Sequence, residues 1–475
     1  MILEQTAKPI DTWDKALQIN LDRRWYGTFA EIGGGQEVSR WFFRVGGASG
    51  TVAKSMSAYD MAVSDAVYGK ADRYVSRPRL QAMLDREFQL DLERLSADRG
   101  DTTRFFAFAD TVATRNFKGT NECHGWLGVK FQAHPRDEPS QIVAHVRMLD
   151  PDAVSQQEAL GIVGVNLLYG AFVLHHEPER LVESLQDNLT SSRVEIDMIE
   201  FSGIEFRYVD NRIMALKLVQ LGLSGAAMFG PKGEVLQPSE VLYKKPILVE
   251  RGSFRPVTHV NVDMMRCARE KFTADSAVKD KPLVEIMEIT MRNLLAEKTE
   301  VDRRDFLARA DLMCACGFTV MISDFFRYYR LASYLQAFTQ ERVGIVMGLP
   351  SLVELFDEKY YVDLPGGILE SFGRLFKNDL KLFVYPLRKH QEGQLETIST
   401  LEVGGSLLKL YQYLADRGSF VHLDNFNAEY LHIFSRDVLK RIAEGDNCWE
   451  QMVPKAVSEH IKKRGFFGYR TQLES

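Results

Sequence analysis

Apolar residues recur about every 3.6 positions through much of the first hundred residues, then give way to short alternating runs. The spacing predicts helices over 36–45 (QEVSRWFFRV) and 51–68 (TVAKSMSAYDMAVSDAVY). A third follows over 79–95, where Leu80, Met83, Leu84, Phe88, Leu92 and Leu95 share one face. The segments 104–113, 125–132 and 141–149 are short, aromatic or β-branched, and separated by Gly, Asn, Pro and Asp, so they read as successive strands. The apolar run 159–174 predicts a buried helix over about 152–174. Strands are expected again at 194–198, where VEIDM alternates, and at 245–250. Residues 1–270 therefore read as an α+β domain, helical over 1–100 and sheet-rich over 101–270, with a largely antiparallel sheet.

The polar stretch 269–285 (REKFTADSAVKDKPLVE) suggests a linker at 271–285. Beyond it, apolar runs at 318–323, 343–347 and 382–385 alternate with amphipathic segments at about 325–338, from Pro350, and at 366–376. Strand–helix alternation of this kind predicts a Rossmann-like α/β domain over 286–475, with a parallel, doubly wound sheet. The fold class is α/β.

Composition narrows the function classes. Of 475 residues 45% are hydrophobic and 26% charged, ordinary values for a globular chain. A net charge of -6 and short basic stretches argue against a nucleic-acid partner. The run 159–174 falls short of the roughly 18–20 residues that span a bilayer, and no basic, apolar leader opens the sequence, so no membrane partner and a cytoplasmic location are expected. Five scattered cysteines do not form a disulfide framework or a C-x-x-C pair.

The most suggestive chemistry lies in 31–55. Two glycine clusters, Gly33-Gly34-Gly35 and Gly46-Gly47 with Gly50, each precede a segment of helical pattern, and Lys54 and Ser55 follow the second. Glycine-rich turns at helix N-termini can cradle an anion, with the lysine and hydroxyl as further contacts. The spacing is neither a Walker A loop nor a dinucleotide fingerprint, and two plain turns are the alternative. Ser323 and Asp324 are expected at a strand end, where open α/β sheets bind ligands; Asp324 could equally cap the next helix. Lys244, Lys245, Arg251 and Arg255 flank a strand, either converging on an anion or guarding an edge. Cys123 and His124 are adjacent but would point to opposite faces of a strand. His175-His176-Glu177 lacks the i, i+4 spacing of a helical metal pair, and no metal or cofactor is assigned from sequence.

The runs TFAEIGGGQEVSRWFFRVGGASGTVAKSMSAYDM, QQEALGIVGVNLLYGA, PSEVLYKKPILVERGSFRPVT and GGILESFGRLFKNDLKLFVYP resemble a family of bacterial proteins of about this length, over nearly the whole chain. Members of that family carry the labels "TonB-dependent receptor" and "nicotinate-nucleotide adenylyltransferase". The first implies a membrane barrel with many alternating strands, which this pattern does not have. The second implies a glycine-rich, histidine-bearing nucleotide loop after a first strand; the clusters at 33–35 and 46–50 contain no histidine. The resemblance therefore carries over no catalytic residue.

The sequence supports an enzyme or binding protein for a phosphorylated or anionic small molecule, a nucleotide among the candidates. The alternative is an assembly protein acting through self-association, suggested by 11% aromatic residues and runs such as Trp41-Phe42-Phe43 and Phe325-Phe326.

Overall fold

The computed structural model describes residues 9–295, 299–388, 393–401 and 403–470. The chain divides into two compact units, Met1–Gly225 and Ala226–Ser475. The division precedes the polar stretch 271–285, which lies inside the second unit as the end of one helix and its connection to the next strand.

The first unit contains strands β1 (Trp25–Ile32), β2 (Val52–Met56), β3 (Arg104–Ala113), β4 (His124–Phe131), β5 (Ser140–Met148) and β6 (Val194–Ser202). They form one sheet in the order β2-β1-β3-β4-β5-β6. The pairs β1–β2 and β1–β3 are parallel and the remaining three are antiparallel. Its helices are α1 (Thr12–Leu21), α2 (Glu37–Val45), α3 (Met61–Tyr68), α4 (Arg77–Arg99), α5 (Ala153–Val173), α6 (Pro178–Ser184) and α7 (Asn211–Gln220). One face of the sheet presents Phe29, Phe106, Phe108, Leu127 and Val129 to α1, α2 and α5. On the other face, α4 covers Phe105 and Ala107. Gly164 explains one interruption of the apolar run: a Cβ there would meet Val38 Cγ2 at 2.3 Å, so only glycine lets α2 and α5 close together.

The second unit contains β7 (Ala226–Phe229), β8 (Val235–Leu236), β9 (Ile247–Arg251), β10 (Val284–Thr290), β11 (Thr319–Ser323), β12 (Val343–Gly348), β13 (Lys381–Tyr385) and β14 (Phe420–His422). Their order is β14-β13-β12-β9-β10-β11-β7-β8. The six strands from β9 to β14 are mutually parallel, and β7 and β8 add an antiparallel edge. Counted along the chain from β9, the parallel strands stand in the order 3-2-1-4-5-6, that of a doubly wound sheet. Its helices are α8 (Pro238–Leu242), α9 (His259–Thr273), α10 (Met291–Leu295), α11 (Arg303–Ala315), α12 (Tyr328–Phe338), α13 (Leu349–Leu355), α14 (Gly367–Leu375), α15 (Leu408–Asp416), α16 (Ser435–Glu444) and α17 (Lys455–Arg464). Ile247 and Val249 pack with α12, α13 and α14, whereas Glu250 faces α9, so helices cover both sides.

The predicted helix over 51–68 is a strand and a helix, β2 and α3. Consequently the second glycine cluster precedes a strand, and only Gly33-Gly34-Gly35 joins a strand, β1, to a helix, α2. The aromatic runs are split between core and surface: Phe42, Phe325 and Tyr329 are buried, while Phe43 and Phe326 are exposed. No helix among the described residues is long and apolar enough to cross a membrane.

Candidate active-site cleft and buried acid groups

In the second unit, a cleft of about 440 Å³ opens at the carboxyl ends of β9, β10, β11 and β12. This volume is within the range of small-molecule sites. The loop after β9 supplies Gly252 and Ser253, the end of β10 supplies Thr290, and α10 supplies Arg292 and Asn293. Phe326, Arg327 and Tyr328 come from the segment between β11 and α12, and Ser351, Glu354, Tyr360 and Tyr361 form the far wall.

Arg251, the last residue of β9, lies in its floor. It donates Nε and Nη2 to the two carboxylate oxygens of Glu288 on β10, each at 2.8 Å, and Nη1 to the Phe326 carbonyl at 2.9 Å. Ser323 donates its hydroxyl to the same carboxylate, so the strand-end serine belongs to this network. Asp324 is exposed and does not cap α12, whose N-cap residue is Arg327. Arg327 pairs with Asp363. Arg292 stacks over the Phe326 ring, 4.4 Å from its centroid, and has no carboxylate partner among the described residues. Two walls of the cleft are stitched together: Asn293 donates to the Gly252 carbonyl, and buried Arg309 donates to the carbonyls of Ser253 and Asn293.

The basic residues grouped by sequence do not converge. Lys245 precedes β9 and Arg251 ends it, at opposite ends of an extended strand. Arg255 pairs with Asp305 at 2.5 Å. The segment Gly252–His259, directly after the first strand of the parallel series, is glycine- and histidine-bearing. The expected strand at 245–250 corresponds to β9, but β10 (Val284–Thr290) carries no predicted strand, so the sequence does not reveal that β9 opens a parallel series. His259 opens α9 and stacks on Tyr430, with ring centroids 4.8 Å apart.

In the first unit, Lys54 lies on β2 and pairs with buried Glu87 of α4, which also accepts from the Tyr68 hydroxyl at 2.8 Å. Ser55 donates to Ser39 Oγ and accepts from Gln36. Gly46, Gly47 and Gly50 adjoin Asn20, whose amide donates to the Phe42 and Gly46 carbonyls. The first amides of α2 already meet an acid side chain: Glu31, on β1, accepts from the backbone N–H of Val38 at 2.9 Å and of Ser39 at 3.1 Å. Glu31 stands at paired register with Asp110 of β3. Burial, with lesser opposing hydrogen bonds, pushes Glu31 up to about 7. Burial and the neighbouring Glu31 push Asp110 well above the usual carboxylate range.

On the opposite face of the same sheet, Asp197 Oδ1 lies 2.6 Å from His145 Nδ1, and His145 Nε2 lies 2.9 Å from His124 Nδ1. The carboxylate requires Nδ1–H on His145, so His145 Nε2 accepts from Nδ1–H of His124. Burial, then the neighbouring His145 and Arg73, lower His124 to about 4. His124 thus finds its partners on β5 and β6, not in the adjacent Cys123, whose Sγ approaches the Asn121 carbonyl.

No protein-family model and no curated protein matches the chain. Among solved structures, it is similar to the competence/damage inducible protein CihA from Agrobacterium tumefaciens, at 18% identity over 34% of this chain and 95% of that one, with a TM-score of 0.25. The competence damage-inducible protein A (ComA) from Klebsiella pneumoniae is similar at 15% identity over 35% and 99%, with a TM-score of 0.26. A competence-damaged protein (CinA) superfamily protein from Escherichia coli is similar at 15% identity over 32% and 81%, with a TM-score of 0.23. Likenesses this slight transfer no chemistry to the chain.

Proposed function

We propose that the second unit binds an anionic small molecule bearing a phosphate, of the nucleotide class, as an enzyme or a binding protein. The observation that carries this reading is the cleft with Arg251, Arg292 and Arg327 at the carboxyl ends of a 3-2-1-4-5-6 sheet, where doubly wound folds bind ligands. Arg251 and Arg327 are held by carboxylates, so Arg292 is the cation offered to a phosphate. Thr290, Ser253, Ser351 and Asn293 add neutral hydrogen-bonding groups, and Phe326 and Tyr360 add aromatic surface for a flat ring. Gly252–His259 occupies the place after a first strand where the family label puts a glycine-rich, histidine-bearing loop, which supports a nucleotide within the anionic class.

The test is calorimetry and thermal shift of the full chain with ATP, AMP, NAD, a sugar phosphate and pyrophosphate. Binding saturating at 100 times the dissociation constant stabilises the bound unit by about 2.7 kcal/mol. Loss of that shift in Arg292→Ala, with unliganded melting unchanged, supports the reading. No binding at millimolar ligand, or equal binding by Arg292→Ala and Thr290→Val, would overturn it.

A further inference from the structure

We propose that His175, His176 and Glu205 form a site for a divalent transition metal of the zinc class in the first unit. A ring nitrogen of each histidine and a carboxylate oxygen of Glu205 all lie within 4.8 Å of one another. Two separate pieces of chain bring them together. The turn after α5 carries both histidines, and a short 3-10 turn after β6, Ile204–Phe206, carries Glu205. The Tyr208 hydroxyl lies 3.4 Å from the His175 carbonyl and 3.5 Å from that of His176, donating to this turn from the chain that carries Glu205.

His175 is only 5% exposed, and its Nδ1 has no hydrogen-bond partner of good geometry. A buried imidazole nitrogen left unpaired is costly, and an absent ion is one of the few physical reasons for it. Burial first, then the neighbouring His176 and Arg104, disfavour the charged form of His175, against a smaller opposing effect of the Ala171 carbonyl. Among the described residues, the side chains of His176 and Glu205 make no hydrogen bond or ion pair. His176 is exposed, so its ring, now 3.8 Å from that of His175 between centroids, can turn toward a shared ion.

The donor set selects the metal. Two imidazoles and one carboxylate suit zinc, cobalt or nickel, whereas calcium and magnesium favour oxygen ligands throughout. Three protein ligands leave a fourth position for water. Arg104 and His134 also face His175 and disfavour a cation; the Glu205 carboxylate is the charge that offsets them.

The test uses the metal-free full chain. Zinc is titrated by calorimetry and cobalt(II) by its visible absorption, in the natural protein, His176→Ala, Glu205→Gln and the control His432→Ala. One zinc with a micromolar or tighter dissociation constant is expected, weakened at least tenfold in His176→Ala and Glu205→Gln but not in His432→Ala. Cobalt absorption should fall with it. Absence of saturable binding, or binding unchanged in both variants because exposed thiols or other histidines hold the ion, would overturn the proposal. None of these readings depends on a ligand in the second unit.

Discussion

Arg251 and Glu288 occupy paired positions on adjacent parallel strands, their side chains joined by two hydrogen bonds of 2.8 Å in the cleft floor. Glu31 and Asp110 stand in the same register relationship in the first unit, but there both groups are acids. The same register relationship thus holds an ion pair in one unit and two mutually repelling buried acids in the other.

The ion pair is almost fully withdrawn from water, so removing one partner leaves a buried charge. Glu288→Met should destabilise the second unit by about 3–5 kcal/mol, and Arg251→Met by a similar amount. The double variant should be less damaged than either single one, because no charge remains unpaired. Urea unfolding followed by fluorescence of Trp449, the only tryptophan of the second unit, measures this. Additive losses in the double variant would show that the two groups act independently.

The acid pair makes a different prediction. A folded-state pKa of about 7 for Glu31, above its ordinary 4.5, means that the folded state keeps a proton that the unfolded state releases in between. The first unit should therefore lose stability as pH rises from about 4.5 to about 7. Asp110→Asn removes the neighbouring acid while keeping an oxygen to accept the Ile32 N–H. Its melting temperature should fall less over that interval than that of the natural protein. Parallel curves would mean that the two carboxyls do not influence each other's titration.

The relay on the opposite face predicts a tautomer. With Asp197 accepting from His145 Nδ1–H, nitrogen NMR should find His145 protonated at Nδ1 and His124 neutral down to about pH 4. Burial opposes the charged form of His124, so protonating it below its ordinary 6.5 works against the fold, and this contribution to stability declines as pH falls from about 6.5 to about 4. Asp197→Ala should redistribute the His145 tautomers. A His145 spectrum unmoved by that change would remove the carboxylate from its assumed role.

Much of this fold is legible from hydrophobic period, and the failures have physical causes. Strands β3, β4 and β5 and helix α4 are long and bounded by turn residues, and α5 is a long apolar run buried on every side, so their patterns survive tertiary context. Strand β1 is hidden because WYGTFAEI is buried on both faces, with Thr28 on one and Glu31 on the other, leaving no apolar–polar alternation to read. Strand β10 begins inside a charged stretch, and its glutamates, among them Glu288, suggest a surface segment until Arg251 is seen opposite. Missing β10 concealed the strand order and, with it, the cleft. Ser323 and Arg251 were singled out individually, but only the three-dimensional pairing of β9, β10 and β11 joins them through Glu288. The His124–His145–Asp197 chain spans three strands and has no spacing by which a sequence could announce it.

Glu250 gives the clearest test of buried charge in the second unit. It follows Val249 on β9, faces α9, and accepts from the Asn261 side-chain amide at 2.7 Å. Asn261 is itself fixed at the start of α9, where its Oδ1 accepts from the Thr258 backbone N–H and hydroxyl. The second Glu250 oxygen has no partner, and burial pushes the group from 4.5 up to about 8. The folded state therefore holds a proton at neutral pH that the unfolded state gives up. Stability of the second unit should fall as pH rises from about 4.5 to about 8, by an amount of the order of a few kcal/mol. Glu250→Gln keeps the oxygen that meets Asn261 and removes the ionisation. Thermal unfolding across pH 5–8 should show the variant melting above the natural protein at pH 8, with the gap closing toward pH 5. A gap that is constant with pH would mean that Glu250 titrates alike in both states, and a gap of opposite sign would mean that its charge stabilises the fold.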